Sequence, residues 1–213
     1  MAVNQVQICN IALSRLGHGK IQSMTEASST GALYCNLHYD SVRQFLLRSH
    51  AWGFAKETEA LALTTVTPLN WLYEYQKPSS CLRILGLTAE GGTDLVRTFS
   101  PGEMRYLPSG TSGEPTPYDI VGDKIHTNLQ DAYCAYSIDI VDETKFDAVF
   151  VDLLAWRLAF EVSMPLTGKH VLRDKMEAQY LKALVTAKGL NSNERQPARQ
   201  DAASRSDLVK ARQ

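Results

Sequence analysis

Gly17-His18-Gly19-Lys20 has the outline of a phosphate-cradling loop, and it is the first stretch whose residue types could do chemistry. A P-loop also needs a glycine five residues before the glycine of Gly-Lys, and Ser or Thr after the lysine. Ser14 and Ile21 hold those positions, so a turn that ends a helix accounts for the glycines better. The histidines, His18, His38, His50, His126 and His170, show no HExxH or paired-ligand spacing. A metal site would have to be assembled in three dimensions, and His38 is expected to be half-buried on a helix. Asp40, Arg43 and Arg157 are the charges that stand out. Asp40 and Arg43 lie i,i+3, which on a helix makes a solvated pair. The sharper expectation sets Arg157, from an otherwise apolar run, against Asp40 as a buried structural ion pair. Catalysis there would need a nucleophile or base close by, and no GxSxG, dinucleotide or kinase motif supplies one. No catalytic residue, cofactor or metal is therefore expected.

Length and composition set the frame. A chain of 213 residues fits one domain with an insert. Hydrophobic residues make up 44%, enough for a core, and the net charge of −1 demands neither nucleic acid nor a membrane surface. Cys9, Cys35, Cys81 and Cys134 are isolated, without a CxxC pair, so zinc and thioredoxin-like chemistry are not expected. The opening MAVNQVQICN lacks the basic and apolar regions of a signal peptide. No run approaches the ~20 apolar residues of a membrane span.

The elements that would position these residues follow from periodicity. Residues 4–16 read as a helix capped by Asn4 with Gln7, its apolar face being Val6, Cys9, Leu13 and Leu16 and its end Gly17. A longer helix starts at Ser28 or Ser29 and stops near His50. Cys35, Tyr39, Val42 and Leu46 form its stripe, widened by Leu33, Leu37 and Phe45. Trp52-Gly53-Phe54 then turns two large aromatics toward the core, each able to bury ~150–250 Å². From about Glu59 the period becomes that of strands. Tyr73–Gln76 and Cys81–Leu87 read as strands, and Tyr118–Val121, Gly122-Asp123 and Lys124–Thr127 as a hairpin. Tyr133–Val141 is an alternating strand with Cys134, Tyr136, Ile138 and Ile140 on one face. Ser100–Pro117 holds four prolines and three glycines in 18 residues, the composition of a long mobile loop that protease should cut first. Helical period returns at Thr144, with Asp147 as a capping-box partner. The run Phe146–Met164 is apolar all round, so it is a central helix or one also covered by neighbours. Pro165 should end it and Gly168 open the turn. A last helix spans about Lys169–Lys188, terminated by Gly189 with Leu190 as a Schellman contact. Asn191–Gln213 is polar, with Arg195, Arg199, Arg205, Lys210 and Arg212 against Glu194, Asp201 and Asp207, hence a charge of +2. That composition does not order itself alone.

The fold class is thus α+β: an antiparallel helical bundle (residues 1–58 and 143–190) with an inserted small antiparallel β unit (59–142, including loop 100–117) and an extended C-terminal arm (191–213).

Two stretches carry a family resemblance. Tyr39-Asp40-Ser41-Val42-Arg43 followed by Leu46-Leu47-Arg48-Ser49-His50-Ala51-Trp52-Gly53-Phe54-Ala55 resembles the "YD..R…LR..PW.FA" pattern of the tail tubular protein A family of tailed bacteriophages. Asp142 to Gly168, which includes Trp156, Arg157, Pro165, Leu166, Thr167 and Gly168, is similar to the second block of that family, "FD..F…LA..LA..L…LTG". Trp71–Tyr75, Cys81–Leu85 and Val121–Thr127 fall where the family has its β segment, so the likeness covers roughly residues 4–190. Ala51, where proline is common, and the long 100–117 loop depart from the pattern.

The resemblance implies a non-enzymatic head-to-tail adaptor (connector). Such subunits form a ring, usually of twelve, below the portal protein in the virion. They extend the DNA channel used in ejection and present a surface to the tail nozzle or next tail component. DNA is passing cargo, no membrane or cofactor is involved, and the subunit is made in the host cytoplasm. Related adaptors send the C-terminal segment onto the portal, which assigns portal or neighbour-subunit contact to Arg195, Arg199, Arg205, Leu208, Val209 and Lys210. Leu208 and Val209 make a short apolar patch suited to a preformed groove. The competing reading is a small helical nucleic-acid-binding or regulatory protein that uses the basic tail.

Overall fold

The computed structural model describes residues 3–26, 28–88 and 116–194. Among the described residues, four helices and two three-stranded antiparallel sheets make an α+β architecture. The expected loop falls on 100–115 and most of the expected arm on 195–213, outside the described residues.

Helix α1 (Gln5–Arg15) starts on a reciprocal capping box. Asn4 Oδ1 accepts from the Gln7 N–H at 2.8 Å, and Gln7 Oε1 accepts from the Asn4 N–H at 3.2 Å. It ends in a Schellman turn: Gly17 takes φ 70°, its N–H reaches the Ser14 carbonyl, and the His18 N–H reaches Leu13. Gly17-His18-Gly19-Lys20 is therefore a helix stop. Helix α2 (Thr30–Ser49) is capped by Ser29, whose hydroxyl accepts from the Ala32 N–H.

Helix α3 (Ala148–Thr167) is the axis of the helical layer; α1, α2 and α4 all pack on it. Its apolar circumference buries Phe150, Leu153, Leu154, Leu158 and Val162 completely. Two boundary expectations fail here. Thr144 and Asp147 form no capping box. Thr144 belongs to a separate 3-10 turn (Glu143–Lys145) capped by Asp142, and Asp147 makes no side-chain bond as the N-cap of α3. Pro165 does not end the helix either. It lies two residues before the end of the helix, where its missing N–H leaves one carbonyl of the preceding turn without an intrahelical donor, and Gly168 at φ 63° makes the stop.

Helix α4 (His170–Asn193) runs on past Gly189, so the arm expected from Asn191 begins at least three residues later. A tertiary contact supplies the reason. Asn191 is buried, and its amide bonds the elbow that follows α2, holding the extra turn in helical form.

Strand β1 (Lys56–Ala60) pairs with β6 (Tyr133–Ile138), which pairs in turn with β3 (Cys81–Thr88). The second sheet orders β2 (Tyr73–Gln76), β5 (Lys124–Thr127) and β4 (Tyr118–Val121). The β4–β5 hairpin turns on Gly122 at φ 63°. β6 lies between two partners and buries Cys134, Ala135, Tyr136 and Ser137 in succession, so the one-face alternation expected of it is replaced by burial on both faces. β1, with the sequence KETEA, carries no apolar signal and was not anticipated as a strand.

Two apolar clusters result. One joins α1–α4 with the Trp52 elbow, and the other lies within the β region around Tyr75, Ile84, Ile125, Cys134 and Tyr136. No helix among the described residues is long and apolar enough to cross a membrane.

Candidate assembly surfaces

Residues of the two motif stretches meet in the helical core. Tyr39 is 1% exposed, and its hydroxyl donates to Glu143 just before α3. Burial and the Glu143 charge push the Tyr39 phenol well above its ordinary range, so it stays a neutral donor. Trp52 is equally buried and donates its indole N–H to the Leu46 carbonyl at 2.8 Å. Its ring meets Phe150 edge-on at 5.3 Å, and Phe54, Phe146 and Phe150 continue the cluster at 5.1–6.2 Å. The elbow thus packs one motif stretch onto the other.

The expected Asp40–Arg157 ion pair is not formed. Arg43 is the buried cation, with a side chain 3% exposed. It donates to Asp139, to the Ile140 carbonyl at 2.6 Å, and to Asp40 at 3.4 Å. Asp40 itself is 72% exposed, as a surface member of an i,i+3 pair should be. The buried pair was missed because Asp139 lies 96 residues away, in the segment that carries the chain from β6 back toward α3. Arg157 instead pairs with Glu161 at 2.5 Å on its own helix. Its guanidinium lies 5.0–5.1 Å from the rings of Phe45, Phe160 and Tyr180, filling the furrow where α2, α3 and α4 approach. Leu166 and Thr167 finish α3, and Thr167 Oγ1 donates back to the Ser163 carbonyl.

The β region holds one further cluster of polar groups. Glu74 accepts from Thr64 Oγ1 at 2.8 Å and lies 2.9 Å from His126 Nε2. These bonds, Thr64 first, hold the Glu74 carboxyl below its usual range. Thr64 Oγ1 donates to the carboxylate and accepts from the Val66 N–H at 3.4 Å, so its hydroxyl is held between the two. All four cysteines are buried free thiols; burial pushes Cys134 up to about 12, and contact with Cys35 together with burial raises Cys9. No group of three or more histidine, cysteine, aspartate or glutamate side chains placed to hold a metal occurs among the described residues.

The surface departs most from expectation on α2. Leu33, Leu37 and Phe45, expected to widen the core stripe, are 62%, 67% and 52% exposed. Leu33 and Leu37 sit on the side of α2 opposite Cys35, Tyr39, Val42 and Leu46, whereas Phe45 lies at the flank against Arg157 of α3. Helix α4 likewise exposes Val171, Leu181 and Val185. His38 is half-buried at the flank of α2. The assigned contact residues Arg195, Arg199, Arg205, Leu208, Val209 and Lys210 lie outside the described residues. No protein-family model matches this sequence, and no curated protein matches it at a significant level.

Proposed function

We propose that this chain is a structural head-to-tail adaptor of a tailed bacteriophage. In this reading it is a helical bundle with a β insert and a C-terminal arm, assembled as a ring, twelve-membered in the family it resembles. The ring stands between portal and tail at the head–tail junction and extends the DNA channel. The role is one of assembly, without catalysis or cofactor.

The observation that carries the reading is the outward side of α2. The same helix that bears the Tyr39-Asp40…Arg43 motif presents Leu33 and Leu37 to solvent, although its opposite side already fills a core. Two adjacent exposed leucines, i and i+4 on a second helix face, suit a protein neighbour. The anchoring of α4 supports the arm's role. Asn191 ties the end of the helix to Ala51 and Gly53, so a portal-seeking arm would leave from a rigid point beside the Trp52 elbow.

The test is co-sedimentation and negative-stain imaging of the chain with its portal, with and without residues 195–213. The expected result is portal-bound rings that are lost on truncation while circular dichroism is unchanged. Full portal binding by the truncated chain refutes the arm's role. Absence of portal binding by the full chain, with DNA affinity that falls steeply with salt, refutes the adaptor and favours the nucleic-acid reading.

A further inference from the structure

Each apolar cluster of the subunit buries two cysteines, and the two pairs differ in one neighbour. Cys9 of α1 and Cys35 of α2 are both 0% exposed in the helical cluster, whereas Cys81 and Cys134 belong to the cluster of the β region. The Cys9 thiol lies 3.6 Å from the thioether of Met24. The β-region cluster contains no methionine.

Three segments bring the sulfurs of the helical cluster together. A Cβ built on Gly31 meets the Leu13 side chain at 3.3 Å, which fixes the start of α2 against α1. Cys9 is one turn back along α1 from Leu13, and Cys35 is one turn on along α2 from Gly31. The two cysteines therefore face each other across the helix pair, with their thiols in hydrogen-bond contact. Met24 comes from the connection between the helices. Asn10, next to Cys9, pins that connection to α1: its Oδ1 accepts from the Ile21 N–H at 2.8 Å, and its amide donates to the Ile21 carbonyl at 2.9 Å. Met24 is only partly buried, so the thioether is the member of the group that solvent reaches.

Distance and donor type point to the same ligand. With metal–sulfur bonds of ~2.3 Å, two sulfurs 3.6 Å apart subtend about 100° at a shared ion. Sulfurs already in van der Waals contact need to part only slightly to hold an ion between them, so no cavity beyond them is required. Thiolate and thioether donors select soft cations such as copper(I). Structural zinc takes four ligands, and no third thiol, imidazole or carboxylate completes a group with these cysteines among the described residues.

We propose that Cys9, Cys35 and Met24 form a three-sulfur site for a soft monovalent cation, copper(I), which clips α1, the connection and α2 together. The site is independent of the adaptor reading. The two thiol protons leave to solvent as the ion enters, and no electron is transferred. Two thiolates and one monovalent ion carry a charge of −1. Tyr39 and Glu143 are the other titratable groups beside Cys9, and the Glu143 carboxylate opposes that charge. Copper thus competes with protons, and binding tightens as pH rises.

The test titrates the reduced full chain with copper(I), without oxygen, against a chromophoric copper(I) chelator, and X-ray absorption reads the donors. The expected result is one ion per chain bound by three sulfurs, with a raised melting temperature. Cys9→Ala and Cys35→Ala should each abolish binding. Met24→Leu conserves volume, so it should keep the fold by circular dichroism and weaken binding about tenfold or more. Cys81→Ala and Cys134→Ala should bind as the wild type does.

A wild type that holds no copper against the chelator overturns the assignment. So does wild-type affinity in Met24→Leu, binding that depends on Cys81 or Cys134, or a Cys9–Cys35 disulfide formed in place of a retained ion. Should an alanine variant fail to fold, the Met24→Leu comparison and the count of sulfur donors decide.

Discussion

Arg43→Ala is the perturbation whose consequence the structure determines most closely. The guanidinium is 3% exposed and serves three acceptors: the Asp139 carboxylate, the Ile140 carbonyl at 2.6 Å and the Asp40 carboxylate at 3.4 Å. Removing it strands the Ile140 oxygen, a loss of ~1–3 kcal/mol for a buried acceptor. It also leaves Asp139 without its cation. Breaking one side of a buried pair costs ~3–5 kcal/mol. Asp139 is 25% exposed and keeps the Gln44 amide at 2.8 Å, so water and Gln44 relieve part of that cost. The expected total is about 3 kcal/mol, at the lower end of the range. For a chain of this size that corresponds to a fall in Tm of about 6–12 °C. The assay is urea unfolding of Arg43→Ala, Asp139→Ala and the double variant, with Asp40→Ala as the surface control. The coupling between Arg43 and Asp139 should exceed ~1 kcal/mol. Asp40→Ala should cost under ~1 kcal/mol, because its carboxylate is solvated. A loss below ~1 kcal/mol for Arg43→Ala, or strict additivity with Asp139→Ala, would refute the reasoning.

Arg157→Ala should cost about 1–3 kcal/mol through lost ring contacts and the Glu161 pair, additively with Asp40→Ala; thermal melts of both and of the double variant check this. Asn191→Ala should cost about 2 kcal/mol, since the Gly53 N–H loses its acceptor and the Ala51 carbonyl a donor. Hydrogen exchange should show the last turn of α4 and the Trp52 elbow opening together; protection unchanged there would rule the latch out. Glu74 titrates below its ordinary value in the fold, so its contribution is present above the unfolded Glu range, near ~4.3, and is lost as pH falls through the folded value. Acid unfolding of Glu74→Gln should therefore be less pH-dependent below about pH 4.5 than that of the wild type; coincident acid limbs would contradict it.

Local signals were sufficient where one stretch of chain decides its own conformation. The Asn4–Gln7 box, the Ser29 cap, the Gly17 stop and the Gly122 hairpin are each made of bonds within a few residues, so residue type at fixed spacing specifies them. The apolar circumference of α3 also predicted its place, because a helix with no polar side has to be surrounded. Pairings across the chain could not be read this way. Asp139 reaches Arg43 only after the β region has returned the backbone to α2. Asn191 extends α4 only because the elbow offers it an N–H and a carbonyl. β1 is a strand because β6 supplies its ladder, not because KETEA has a strand pattern. The period of α2 showed that Leu33, Leu37 and Phe45 are apolar and helical. Which apolar side faces the core was decided by packing, since α3 covers only one side of a helix that is greasy on two. Leu33 and Leu37 are left on the uncovered side.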